Sequence, residues 1–136
     1  MDKLFVDTNV VMDLLQKREE FFEEAQELFT LADKKKVRLF ISSLTIANTR
    51  FLLSKHYNAN EARKISAKFK VLVEVLALDD KIIDLALTSD SKDFEDAKQF
   101  YTAIENNTDI IITRNKKDFK KQSIPILTAK EYLNRE

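Results

Sequence analysis

No cysteine and no glycine occur among the 136 residues, and proline and histidine occur once each. Each gap removes a class of chemistry. Without cysteine there is no thiol nucleophile, no zinc–thiolate site and no disulfide. Without glycine, neither a phosphate-cradling P-loop nor a dinucleotide-binding glycine fingerprint can be written. The lone histidine, His56, rules out sites that need paired imidazoles, and no glycine-flanked serine accompanies it to build a hydrolase triad. What remains is carboxylate, amide, hydroxyl, lysine and arginine chemistry. If a metal is used, oxygen donors of this kind select hard ions such as Mg²⁺ or Mn²⁺.

An excess of one charge is also lacking. Lys+Arg and Asp+Glu number 23 each, so bulk charge does not mark a nucleic-acid binder. Basic residues do cluster locally, in Lys34-Lys35-Lys36 with Arg38 and in Arg114 with Lys116, Lys117, Lys120 and Lys121. The first cluster reads as a solvated surface. The second follows a strand-like run and is a candidate for phosphate contact. No apolar run approaches the ~20 residues of a membrane span. Met1-Asp2-Lys3 leads straight into a strand-like run, without the apolar stretch of a signal peptide. A cytoplasmic protein without membrane contact is expected.

What is present suits one packed domain over residues 1–136. Hydrophobic residues make up 44% of the chain, enough for a core without a staple. Leu4-Phe5-Val6 is a short strand that ends at Asp7. Val10, Val11, Leu14 and Leu15 then recur at helical spacing. Phe21 to Ala32 is an amphipathic helix, and Val37 to Ile41 a second strand. Ser42 or Ser43 is a natural N-cap for a helix whose apolar face is expected at Leu44, Ala47, Phe51 and Leu52. Asn60 is expected to cap the next helix, through Ile65, Phe69 and Leu72. Val73 to Leu78 reads as a third strand, and Asp79-Asp80 opens a short helix with Ile82, Ile83, Ala86 and Leu87. After a polar break at residues 88–92, a helix starts near Asp93 and buries Ala97, Phe100, Tyr101 and Ile104. Ile110-Ile111-Ile112 is a buried-strand candidate, and Pro125-Ile126-Leu127 a short final strand. Thr128 and Glu131 have capping-box spacing for a last helix. Strands alternating with helices predict a three-layer α/β/α fold with a mainly parallel sheet of about five short strands. The fourth and fifth strands lie too close in sequence for a helical crossover.

In such a sheet, ligands bind beyond the carboxyl ends of the strands. Three strands here end in polar groups: Asp7-Thr8-Asn9, Ser42-Ser43, and Thr113-Arg114-Asn115 followed by Lys116, Lys117 and Asp118. Asp7 is a candidate metal ligand, with helix capping as its plainer alternative. Asn48 lies four residues after Leu44, so it is expected on the apolar face, either as a satisfied core amide or aimed into the pocket. Asp96 precedes Phe100 by four and should lean inward. Asp93 fits an N-cap, where the helix dipole favours acids.

Val6-Asp7-Thr8-Asn9-Val10, Ile41-Ser42-Ser43-Leu44-Thr45-Ile46-Ala47, Asp93-Phe94-Glu95-Asp96-Ala97 and Ile112 to Phe119 occur in this order. Together, over nearly the whole chain, they resemble the PIN-domain family, which includes the toxin ribonucleases of bacterial toxin–antitoxin pairs. The resemblance implies a Mg²⁺- or Mn²⁺-dependent endoribonuclease in which about four acids gather at one pocket and metal-activated water cleaves the phosphodiester. Asp7 and Asp96 match two of those acids and become the expected catalytic residues. Asn48 falls where the family commonly has Glu, and Asn115 where it commonly has Asp. A pocket of about −2 rather than −4 charge is implied, with one or two weakly bound ions. Asp118 is a substitute ligand in reach of Asn115. Thr8, Thr113, Arg114, Lys116 and Lys117 are expected to contact nucleic acid. RNA, a small antitoxin protein and a second copy of the chain are the implied partners. The two asparagines leave a second reading open, a weakly active or inactive module that binds RNA or protein. A phosphatase of haloacid-dehalogenase type also places Asp after its first strand, but it wants an acid where Asn9 stands.

Overall fold

The computed structural model describes residues 1–90, 93–116 and 124–135. The chain order is β1 (Asp2–Val6), α1 (Thr8–Leu15), α2 (Phe22–Asp33), β2 (Val37–Ser42), α3 (Ser43–Leu53), α4 (Ala59–Lys70), β3 (Val73–Leu76), α5 (Asp80–Thr88), α6 (Phe94–Glu105), β4 (Ile110–Ile112), β5 (Ile126–Leu127) and α7 (Ala129–Leu133). The strands form one five-stranded sheet in the order β3-β2-β1-β4-β5. Every pairing is parallel; Phe5 of β1, for example, lies between Phe40 of β2 and Ile111 of β4.

A parallel sheet is covered on both faces, so its strands are apolar throughout rather than alternating. Leu4 and Val6 face a core completed by Val10 and Val11 of α1, Ala25, Leu28 and Phe29 of α2, Phe69 of α4 and Ala129 of α7. Phe5 points the other way and packs with Phe40, Ile111, Phe100 and Ala103, the last two from α6. The helix starts follow their side chains. Ser42, Asp79, Asp93 and Thr128 each accept a backbone N–H of the following turn, and Thr128 with Glu131 completes the capping box. With no glycine available, the left-handed positions after α1, α2 and α6 fall to Lys17, Lys35 and Asn107. No helix among the described residues is long and apolar enough to cross a membrane.

Three local expectations change. Asn58, not Asn60, caps α4 through Glu61 N–H. The third strand ends at Leu76, two residues before its expected end. The buried face of α3 is Thr45, Thr49 and Leu53, not the Leu44–Phe51 stripe. Phe51 is 61% exposed. Thr45 turns inward to polar partners described next, and Thr49, one turn on, shares its face with its hydroxyl unbonded among the described residues.

Candidate functional site at the strand ends

The sheet order reverses beside β1: β2 and β3 extend one way, β4 and β5 the other. That reversal opens a crevice at the carboxyl ends of β1 and β4, the usual place for a ligand in an open parallel sheet. Asp7 stands immediately after β1 and is buried. Its Oδ2 accepts the Thr113 hydroxyl from the end of β4 at 2.9 Å. Its Oδ1 accepts the Thr8 N–H at 2.9 Å, so Asp7 also caps α1. The capping alternative therefore holds for Asp7. A buried carboxylate surrounded by donors is held as an acceptor in one orientation.

A polar network extends from Asp7 towards β2. The Gln99 amide of α6, buried at 4% exposure, donates from Nε2 to Asp7 Oδ1 (3.3 Å) and Thr45 Oγ1 (3.0 Å) and lies 3.4 Å from Thr8 Oγ1. Ser42 donates its hydroxyl to Gln99 Oε1 at 2.7 Å. Thr8 and Thr45 hydroxyls are 2.8 Å apart. Neither Gln99 nor Thr45 was a sequence candidate. A signal existed for Gln99, since it lies three residues after Asp96 between the buried Ala97 and Phe100, and a polar side chain there must find partners.

The other candidates are spread more widely. Asp96 is half-buried near the start of α6, and its N–H is capped by Asp93. Asn115 is half-buried, with its N–H bonded to Thr113 Oγ1. Asn48 is exposed; the register of α3 that turns Thr45 and Thr49 inward carries it out of the expected buried face. Thr113 is buried and donates its hydroxyl to Asp7, so it supports that carboxylate. Thr8 is half-buried and joined to Thr45. Lys116 is bound to both oxygens of Glu131 at 2.9 and 3.0 Å, which ties it to the start of α7. Lys117 and Asp118 lie outside the described residues.

A second charged cluster adjoins this site. Asp13 of α1 is 1% exposed, with Arg114 Nε 2.9 Å from Oδ2 and Arg18 Nη1 3.5 Å from Oδ1. The Arg114 guanidinium also lies 4.2 Å from the Phe21 ring centre. Asp13, Arg114 and Phe21 line a cavity of about 340 Å³ together with Val10, Ala25, Asn115 and Ala129. Burial pushes the Asp13 carboxyl above its ordinary value, and attraction to Arg114 and Arg18 only partly offsets it. Its folded pKa thus exceeds its unfolded one. Its contribution favours folding at pH values below the unfolded carboxylate range and is lost as pH rises through the folded value. Replacing Asp13 with Asn removes that declining contribution. Urea unfolding of Asp13→Asn between about pH 3.5 and 7 is expected to show stability rising more steeply with pH than in the native chain. A shallower rise would contradict this balance.

Do these residues suit a hard cation? Every candidate donor is an oxygen, which fits Mg²⁺ or Mn²⁺ by type. Asp7 supplies a buried carboxylate at the end of β1, and the Asp96 carboxylate near the start of α6 is half-buried. Among the described residues no group of three acidic or histidine side chains is close enough to hold an ion. The donor chemistry fits, with amide and water oxygens needed to complete a coordination shell.

An α/β/α domain that delivers a buried carboxylate to the switch point of a parallel sheet is the class defined by this fold and site. The PIN-domain family model matches residues 3–117, and the chain belongs to that family. It is 27% identical to the ribonuclease VapC1 of Aquifex aeolicus over 98% of this chain and 95% of that protein. Its fold matches VapBC from Salmonella typhimurium, solved bound to DNA, with a TM-score of 0.71 and 19% identity over 95% and 99% of the two chains. It also matches VapC20 of Mycobacterium tuberculosis, described as a sarcin–ricin-loop-cleaving toxin, with a TM-score of 0.61 and 19% identity over 79% and 86%.

Proposed function

We propose that the chain is a VapC-type endoribonuclease, the toxin of a toxin–antitoxin pair, that hydrolyses RNA phosphodiesters with Mg²⁺ or Mn²⁺. The observation that carries this reading is Asp7, a buried carboxylate fixed across the β1–β4 crevice by the Thr113 hydroxyl and the Gln99 amide. Asp7 and Asp96 are the core ligands, with Asn48 and Asn115 offering carbonyl oxygens and Asp118 a reserve carboxylate. A bound ion would neutralise the scissile phosphate and lower the pKa of its water. The chain's own residues do the rest. Asp7 orients the donor set, and Arg114, anchored by Asp13 and Phe21, meets the RNA backbone at the rim together with Lys116 and Lys117. The relatives solved as VapBC complexes support an antitoxin partner. A homodimer enters this reading through the family resemblance. An RNA substrate supports a cytoplasmic location. Calorimetric titration of Mn²⁺ into the native chain tests the reading. Binding that is lost in Asp7→Asn supports it, and no binding rejects it.

A second reading has an observation of its own. The acids described do not assemble a group of three, and asparagine stands at two positions where the resemblance expects acids. On that reading the fold binds RNA or a protein partner with little or no cleavage. The double variant Asn48→Glu/Asn115→Asp separates the two. It is expected to tighten Mn²⁺ binding by roughly 10- to 100-fold, because each added carboxylate strengthens attraction for a hard cation. Cleavage that appears only in the double variant favours the binding module; cleavage already strong in the native chain rejects it.

A further inference from the structure

We propose that Gln99 is a positioning residue for Asp7, a side chain that touches neither RNA nor ion yet sets where the carboxylate points. The inference rests on the ribonuclease reading above. Its basis is the direction of each hydrogen bond around the amide. Ser42 Oγ accepts the Thr45 N–H at 3.2 Å as the cap of α3. Its own proton is therefore free to go to Gln99 Oε1, 2.7 Å away. On the other side Asp7 Oδ1, a carboxylate oxygen that can only accept, takes the Nε2 end of the amide. The N–H groups there are shared among Asp7 Oδ1, Thr45 Oγ1 and Thr8 Oγ1. The carboxylate and the cap of α3 thus agree on which end of the glutamine faces Asp7.

The residue type follows from this geometry. Glutamate at position 99 would still accept from Ser42, but it would have no N–H for Asp7 and would bring like charge against it. Methionine would fill the same space with no donor at all. Asp7 already receives the Thr113 hydroxyl on Oδ2 and the Thr8 N–H on Oδ1, so the Gln99 N–H is a third donor, the one that holds the carboxylate towards α6. It also joins α6, which carries Asp96, to the ends of β1 and β2. Groups of this kind that orient a ligand typically contribute 10- to 100-fold to metal affinity.

The test uses the full-length chain and two readouts. In the metal-free crystal structure of Gln99→Met, the Asp7 carboxylate is expected to turn away from the Thr113 hydroxyl. Its Mn²⁺ dissociation constant should rise about 10- to 100-fold, with kcat for RNA lowered and KM little changed. Ala103→Gly, on the same helix and buried away from the network, is the control for general loosening. It should lower the melting temperature while keeping native Mn²⁺ affinity. An unmoved Asp7 in Gln99→Met, or native Mn²⁺ affinity despite a moved Asp7, overturns the proposal. If Ala103→Gly weakens Mn²⁺ binding as much as Gln99→Met does, the role is merely structural and the proposal also fails. If Gln99→Met does not fold, the isosteric Gln99→Glu takes its place, and the Asp7 position in its metal-free structure decides. Should the native chain bind no Mn²⁺, the ribonuclease reading falls, while the hold of Gln99 on Asp7 is still decided by those metal-free structures.

Discussion

Replacing Asp7 with asparagine is expected to lower RNA cleavage by about 100- to 1,000-fold while leaving the fold intact, the scale of losing one well-placed electrostatic group in an active site. The fold should survive because the hydrogen bonds can be kept. Asparagine Oδ1 still accepts the Thr8 N–H and the Gln99 amide. The new NH₂ group replaces Oδ2, and the Thr113 hydroxyl, which donates to Asp7 at 2.9 Å, can rotate to accept instead. The stability change should therefore stay within about 1 kcal/mol. Charge is what disappears, and with it the attraction for a hard cation. Cleavage assays beside urea unfolding separate the two effects. Unchanged cleavage in a folded Asp7→Asn protein would remove Asp7 from the chemistry.

The largest expected effect on stability lies at the centre of the sheet. Phe5 is fully buried, stands between Phe40 and Ile111 in register, and packs under Phe100 and Ala103. Phe5→Ala removes most of a ring from a site walled by strands on both sides, where little collapse is possible. The cost should be about 3–5 kcal/mol, a large share of the roughly 5–15 kcal/mol that holds a domain of this kind folded. The melting temperature should fall by roughly 10–20 °C. Denaturant unfolding would show it as a lowered midpoint at nearly constant slope. A loss under about 1 kcal/mol would mean that this face of the sheet is not close-packed.

Much of this architecture could be read from residue order. The β1 run ends at an acid, Thr128 and Glu131 form the expected capping box, and Asp93 caps α6. These features are local, so the sequence carries them. The face of α3 was not legible, because three inward positions, Thr45, Thr49 and Leu53, include two polar residues. Hydrophobic periodicity assigns the wrong side when a helix is fastened by hydroxyl contacts. Asp13 is similar. It lies three residues after the buried Val10, at helical spacing, yet its burial depends on Arg18 and Arg114, the latter about a hundred positions away. The pairing of Lys116 with Glu131 of α7 was not legible either. Such ion pairs are set by which strand ends meet, and the strand order is not written in local periodicity.

The site follows the same division. Asp7 was legible because a strand-end acid is a local feature. The apparatus around it was not, since Gln99, Ser42 with Thr45, and Thr113 come from three separate stretches of chain and meet only when the sheet closes in the order β3-β2-β1-β4-β5. On the proposed ribonuclease reading, the asparagines at positions 48 and 115 make the activity of this centre a quantitative matter. A hard cation can be bound through amide oxygens, but less strongly than through carboxylates.

The most direct measurement of the central claim is cleavage of a mixed RNA substrate by the purified native chain, with Mn²⁺ and then with excess EDTA, beside Asp7→Asn. Cleavage that needs Mn²⁺ and falls about 100-fold or more in Asp7→Asn is the expected result. No cleavage by the native chain in Mn²⁺, or cleavage equal in EDTA and in Asp7→Asn, would contradict it.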